Sequence, residues 1–170
     1  MEAVLSRAME PEIRQATAGD AANITTVINR AFGESEHFFV DGDRITVEEV
    51  QGSLHTGVFL VAEREGEMVG CVYVEPRGER AYLGLLSVEP GHQQRGVGVR
   101  LMRASEDFCI AAGCRFMDIK IVNLRTELPS YYRKLGYSET GSSAFPAEVE
   151  TKMPCHFIDM SKPLTHPMVS

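Results

Sequence analysis

Residues 81–88, Ala-Tyr-Leu-Gly-Leu-Leu-Ser-Val, form an apolar strand candidate that leads into Gln93-Gln94-Arg95-Gly96-Val97-Gly98. A helical pattern follows at once: Leu101, Met102, Ser105, Phe108, Cys109 and Ala112 share one face at helical spacing. Gly113 is a natural residue to end that helix. The next strand candidate, Phe116 to Val122, lies at the crossover length of a parallel pair. Strand, glycine turn and helix in this order are a physical recipe for holding a phosphate. The first N–H groups of a helix lack internal partners and carry the positive end of its dipole. Glycines let an anion approach that backbone closely. The stretch Gln94 to Val99 is therefore expected to cradle a phosphate-bearing ligand. Glycines inside a long helix cost about 1 kcal/mol each relative to Ala, which favours a binding role over a mere turn.

Upstream, Glu12 to Ala16 is a short strand candidate, and Thr17-Ala18-Gly19-Asp20 is a capping-box variant. Ile24, Val27, Ile28 and Ala31 then mark one face of a helix. Phe32 to Arg44 breaks the rhythm and reads as a polar, acidic loop or irregular helical segment. Thr46-x-x-Glu49 opens a second helix, to about Ser53. Val58–Arg64 and Met68–Glu75 are strand-like, with hairpin chemistry at Glu65-Gly66. Downstream, a short helix spans about Glu127 to Lys134, with Pro129 in its first turn. Leu135–Ser138 reads as a strand, Gly141–Pro154 as loop and Cys155–Met160 as a final strand. The expectation is a single domain over 1–170, with a loose leader at 1–10 and a flexible tail at 164–170. There is no internal repeat.

Composition narrows the function. A net charge of −7 disfavours nucleic acid as a partner. No apolar run approaches the roughly 20 residues of a membrane span, and the N-terminus has no secretory h-region. The four cysteines form no CxxC pair and no zinc spacing. They read as reduced thiols of a cytoplasmic protein, and no metal is expected.

Val88-x-Pro90 followed by Gln93-x-x-Gly96-x-Gly98 resembles motif A of the GNAT (GCN5-related N-acetyltransferase) family. Asn123 and Tyr132-Arg133-Lys134-Leu135-Gly136-Tyr137 are similar to that family's second block, Asn then Tyr-x-x-x-Gly-aromatic. The resemblance covers nearly the whole chain. It implies an α/β (α+β) fold: a mixed, twisted sheet of about seven strands flanked by helices, splayed between strands four and five. It further implies an enzyme that moves acetyl from acetyl-CoA to a primary amine, on a small molecule or a peptide. With the charge and the lack of an apolar span, the expected partner is the amine acceptor, with no nucleic acid and no membrane, and a homodimer is allowed. A non-catalytic acyl-CoA-binding module on the same fold is the alternative. A dinucleotide oxidoreductase fits poorly, because Leu101 stands where its fingerprint needs a third glycine.

By resemblance, main-chain groups of Leu86, Ser87 and Val88 hold pantetheine, and Gln93, Gln94, Arg95, Gly96, Val97, Gly98 and Val99 hold the pyrophosphate. Asn123 caps the following helix or touches the cofactor. Tyr132 protonates the departing thiolate, a role open to a phenol with an ordinary pKa near 10. Replacing it should then shift the alkaline limb of the rate profile. On helix geometry its neighbour Tyr131 points about 100° away, so one of the two is expected to face the thiol. No general base is assigned: where some members carry a strand-four Glu, this chain has Tyr82. The acceptor is expected between Phe32–Arg44 and Ser142–Met153, with His37, Phe38, Phe39 and Tyr82 as candidate contacts.

Overall fold

The computed structural model describes residues 10–93 and 95–165. In chain order the elements are β1 (Glu12–Gln15), α1 (Ala21–Glu36), α2 (Val47–Thr56), β2 (Val58–Arg64), β3 (Glu67–Arg77) and β4 (Arg80–Val88). There follow α3 (Val97–Ala111), β5 (Phe116–Val122), α4 (Leu128–Lys134), β6 (Ser138–Ala144) and β7 (His156–Pro163). The seven strands form one sheet in the order β1-β2-β3-β4-β5-β7-β6. Every neighbouring pair is antiparallel except β4 and β5, which run parallel.

Helices cover both faces of the sheet, so its central strands are buried on both sides. Strand β2 shows how one sequence serves two cores. Leu60 and Ala62 join the cluster beneath α3, with Val97, Leu101, Met102 and Cys109. Phe59 and Val61 point the other way and meet Ala21, Ile24, Val27 and Ile28 of α1. This is the two-residue alternation of a strand feeding two helix stripes.

Both expected helix starts have their caps. Asp20 Oδ2 accepts from the Thr17 backbone N–H at 2.7 Å, in a capping box that opens a 3₁₀ turn ahead of α1. Thr46 Oγ1 accepts from the Glu49 N–H at 3.1 Å at the start of α2.

Three departures have physical causes. Helix α1 continues through Phe32–Glu36 rather than breaking at residue 32. Its last turn is polar because it borders a cavity instead of the core. The strand expected at Leu135–Ser138 lies instead at Ser138–Ala144, running into the stretch from Gly141 that read as loop. It is an edge strand paired only with β7 and wet on both faces, so it carries no hydrophobic alternation to read. Leu164, assigned above to the tail, is buried, and its N–H donates to the Arg115 carbonyl at 2.7 Å. The rest of the expected leader and tail, 1–9 and 166–170, lies outside the described residues.

Candidate active site

Strands β4 and β5 pair over only three residues, Arg80↔Phe116, Ala81↔Met117 and Tyr82↔Asp118. Beyond Tyr82 they diverge, and a cavity of about 840 Å³ opens between them. The divergence begins beside a bulge in β4. Cys71 pairs with Ser87 and Tyr73 with Gly84, so β4 carries one residue more than β3 across this stretch. Leu85 absorbs it with φ 56°, a left-handed conformation rare for a branched side chain. The Ser87 hydroxyl, itself buried, donates to the Leu85 carbonyl at 2.9 Å and braces the kink. Leu85, Leu86 and Val88 line the cavity.

The start of α3 borders the same cavity. Gly96 is its N-cap with φ 80°, a left-handed backbone that any other L-residue adopts at a cost. Val97 turns its side chain into the core. Gly98 faces the cavity, and a Cβ there would stand 3.2 Å from the Tyr131 hydroxyl. Gln93 lines the wall and donates from Nε2 to the Val88 carbonyl at 3.4 Å. Arg95 is exposed, Val99 lies in the first turn of α3, and Gln94 falls outside the described residues. Unpartnered helix N–H groups, a glycine approach and an opened strand edge suit a ligand with a pyrophosphate and an amide-bearing arm.

Helix α4 supplies the middle of the site. Tyr131 and Tyr132 both line the cavity. Tyr131 leans toward Gly98. The Tyr132 ring packs edge-on against Tyr131, with centroids 5.1 Å apart, and against Tyr137 at 5.8 Å. Among the described residues the Tyr132 hydroxyl has no hydrogen-bond partner, and no fully buried side-chain polar atom is left unpaired, so this hydroxyl opens into the cavity. Burial pushes its pKa well above that of a free phenol, Tyr131 adds to the effect and the Arg125 charge opposes it.

The far end is built from the last turn of α1, the segment after it and the loop between β6 and β7. Phe32, Glu36, Asp41 and Arg44 line it from one side, and Phe145, Pro146 and Val149 from the other. Lys152 ties the two together. Its N–H donates to the Phe39 carbonyl at 2.7 Å, and its ammonium reaches the His37 carbonyl at 3.2 Å and Asp41 at 3.1 Å. His37 is in the wall, its Nδ1 lying 3.0 Å from the Gly33 and Glu34 carbonyls. Phe38 is not: its ring is 44% exposed and rests edge-on against the buried Phe39. Tyr82 is in the wall, its ring against Gly84 and beneath the Arg77 guanidinium, and burial raises its pKa. Asn123 lies at the end of β5, exchanging hydrogen bonds with the His156 backbone at 2.8 and 2.9 Å.

One pair escaped the sequence reading. Arg125 Nη1 donates to Glu36 Oε2 at 3.2 Å and to Ser35 Oγ at 3.3 Å, while its Nε meets Glu127 at 2.6 Å. Glu36 and Arg125 both line the cavity. Burial raises the Glu36 pKa, partly offset by Arg125 and Arg44. No group of three or more His, Cys, Asp or Glu capable of holding a metal ion occurs among the described residues.

The Acetyltransferase (GNAT) family model matches residues 24–137, more than half of the chain. The chain belongs to the GNAT family. An uncharacterized N-acetyltransferase of Bacillus subtilis (strain 168), YhfO, is 28% identical over 135 residues, which cover 75% of this chain and 89% of that protein. The PaiA N-acetyltransferase of Thermoplasma acidophilum, solved with coenzyme A, superposes with a TM-score of 0.75 at 16% identity, over 91% of this chain and 99% of that one. YncA of Salmonella typhimurium, solved with acetyl-CoA, gives 0.72 at 20% identity, over 94% and 97%. At these identities the structures speak for the fold, and the family match for the activity.

This GNAT chain is therefore an acetyltransferase whose acyl donor is acetyl-CoA, on a seven-stranded sheet parted between β4 and β5. No helix among the described residues is long and apolar enough to cross a membrane.

Proposed function

We propose that this protein transfers the acetyl group of acetyl-CoA to a primary amine by direct attack, with Tyr132 as general acid. The observation that carries this reading is the Tyr132 hydroxyl, held between the Tyr131 and Tyr137 rings, without a partner among the described residues, in the cavity between the parted strands. A phenol kept protonated and aimed at the site can donate to a thiolate as it departs.

In this reading the pyrophosphate rests on the α3 N-terminus at Gly96–Val99. The pantetheine arm lies along Leu86 and Val88 as an added strand, and the thioester reaches the level of Tyr132. The bulge at Leu85 leaves β4 backbone groups without a partner on the β5 side, available to pantetheine and to the thioester carbonyl. The amine enters from the far end, between the last turn of α1 and the Phe145–Val149 loop. Its nitrogen forms a bond to the carbonyl carbon, the C–S bond breaks, and the sulfur takes the Tyr132 proton. Holding both reactants in one cavity supplies most of the acceleration.

Free CoA release, followed with a thiol reagent across a panel of primary amines, tests this function. At least one amine should raise release well above solvent hydrolysis and yield the N-acetyl product by mass spectrometry. Release independent of every amine would reduce the protein to an acyl-CoA-binding module.

A further inference from the structure

Glu36 is placed unlike the other acidic side chains of this surface. Its side chain is only 12% exposed, yet it stands in the wall of the cavity. Oε2 is taken by Arg125 Nη1 at 3.2 Å, whereas Oε1 accepts no hydrogen bond from a described residue. Among the described residues no fully buried side-chain oxygen lacks a partner, so Oε1 keeps some exposure on a side chain that lines the cavity. The Tyr132 hydroxyl opens into the same cavity, within range of the Arg125 charge. One unpartnered acceptor and one unpartnered donor thus line one cavity, with Arg125 bonded to the first and acting on the second through its charge alone.

A purely structural ion pair gains little here, since removing two charges from water offsets most of their attraction. What the pair does accomplish is to fix the carboxylate of a flexible side chain, leaving one oxygen free. Paired titratable groups in contrasting environments are the usual marks of an acid and a base.

We propose that Glu36 is the general base that removes the proton from the acceptor ammonium. This rests on the acetyl-transfer reading above. The balance is closed without any other reagent. R–NH₃⁺ gives one proton to Glu36 Oε1 and becomes R–NH₂. The nitrogen lone pair forms the N–C bond, and the C–S bond breaks with its electrons on sulfur. Tyr132 protonates the thiolate, and the proton lost by the new amide nitrogen restores the phenol. Glu36 then releases its proton to water, so the net products are amide, CoA thiol and one proton. Burial raises the Glu36 pKa, which brings the carboxylate closer to an ammonium and makes it a better acceptor. Around it are Arg125 and Glu127 from the turn between β5 and α4, Arg44 from the segment after α1, and Asp41, Asp43 and His37 in the same wall. Arg125 fixes Oε2 and is a positioning residue.

The test compares wild type with Glu36→Gln and Glu36→Asp, using the amine with the highest kcat/KM in the panel. The readouts are CoA release against pH, thermal melting, and CoA affinity by calorimetry. Near pH 7, Glu36→Gln should lose about 100- to 1000-fold in kcat/KM for the amine. That deficit should shrink as the pH passes the amine's own pKa, about 10 for an alkylamine, because the free amine no longer needs a base. Glu36→Asp keeps a carboxylate and should retain the acid limb with a smaller loss. CoA affinity should not change in either. A deficit constant at all pH values, in protein that melts normally, would make Glu36 structural and overturn the proposal, as would unchanged kcat/KM. If Glu36→Gln does not fold, loss of the acid limb in folded Glu36→Asp overturns it equally. A wild type that releases no CoA with any amine would instead fail the acetyl-transfer reading itself.

Discussion

Replacing Tyr132 by Phe keeps the ring in its aromatic cage and removes one hydroxyl. In the folded protein that hydroxyl has no partner among the described residues, so no protein hydrogen bond is lost. Melting should therefore stay within about 2 °C of wild type, since each kcal/mol moves Tm by roughly 2–4 °C at this size. The effect on rate follows from acidity. Burial holds the phenol well above its usual range, while a free thiol titrates near 8.5. Proton transfer from so weak an acid runs with C–S cleavage and is completed as the amide nitrogen returns its proton to the phenol; what Phe removes is the charge-assisted hydrogen bond to the developing thiolate, worth about 1.5–3 kcal/mol. That corresponds to a loss of about 10- to 150-fold. The raised pKa also revises the expectation for pH. A phenol of ordinary pKa would govern the alkaline limb, but this one stays protonated through it. The profiles of wild type and Tyr132→Phe should have one shape, displaced vertically. The assay is single-turnover acetyl transfer against pH, which removes product release from the rate. Equal rates would refute the role of Tyr132 as acid. A shifted alkaline limb would refute the account of its acidity.

Gly96→Glu places a side chain on a left-handed backbone, at about 1–2 kcal/mol, and a negative charge beside the expected pyrophosphate. CoA affinity should fall at least about tenfold by calorimetry; an unchanged Kd in folded protein would move the phosphate site elsewhere. Cys71, Cys109 and Cys114 are buried, and burial raises the Cys109 thiol to about 12 and Cys71 further, so neither supplies a thiolate. Native protein treated with iodoacetamide should keep its turnover, and an acetyl-cysteine trapped by mass spectrometry would replace direct attack with a two-step route. The Asp20 pKa is lowered to about 2, first by its hydrogen bond with Arg14. A lowered pKa contributes stability above the unfolded value near 3.9 and loses it as the pH falls through about 2. Asp20→Asn should cost about 1–2 kcal/mol in denaturant melts at pH 7, with the gap closing toward pH 2; a gap independent of pH would remove the ion pair from the explanation.

What the sequence disclosed was local. The glycine turn before α3, the Thr17 and Thr46 caps and the Glu65-Gly66 hairpin each depend on residues a few positions apart. The parts it withheld depend on distance or on backbone shape. Glu36 and Arg125 are 89 positions apart, and each alone reads as a solvated surface charge. Leu85 adopts a positive φ that nothing in a leucine announces. Phe38 and Phe39 are the same residue type in succession, yet Phe39 is buried and Phe38 is exposed.

Three parallel pairs join the first four strands to the last three, and past Tyr82 the facing edges of β4 and β5 have no strand partner among the described residues. An acyl donor lying there would act as an eighth strand, closing a seam that the polypeptide leaves open. Its concentration then enters the folding equilibrium, adding RT ln(1 + [L]/Kd) to the stability of the sheet. The resistance of such a protein to unfolding and proteolysis becomes a readout of the cell's acyl-CoA supply, so that starving the enzyme of its donor also shortens its life.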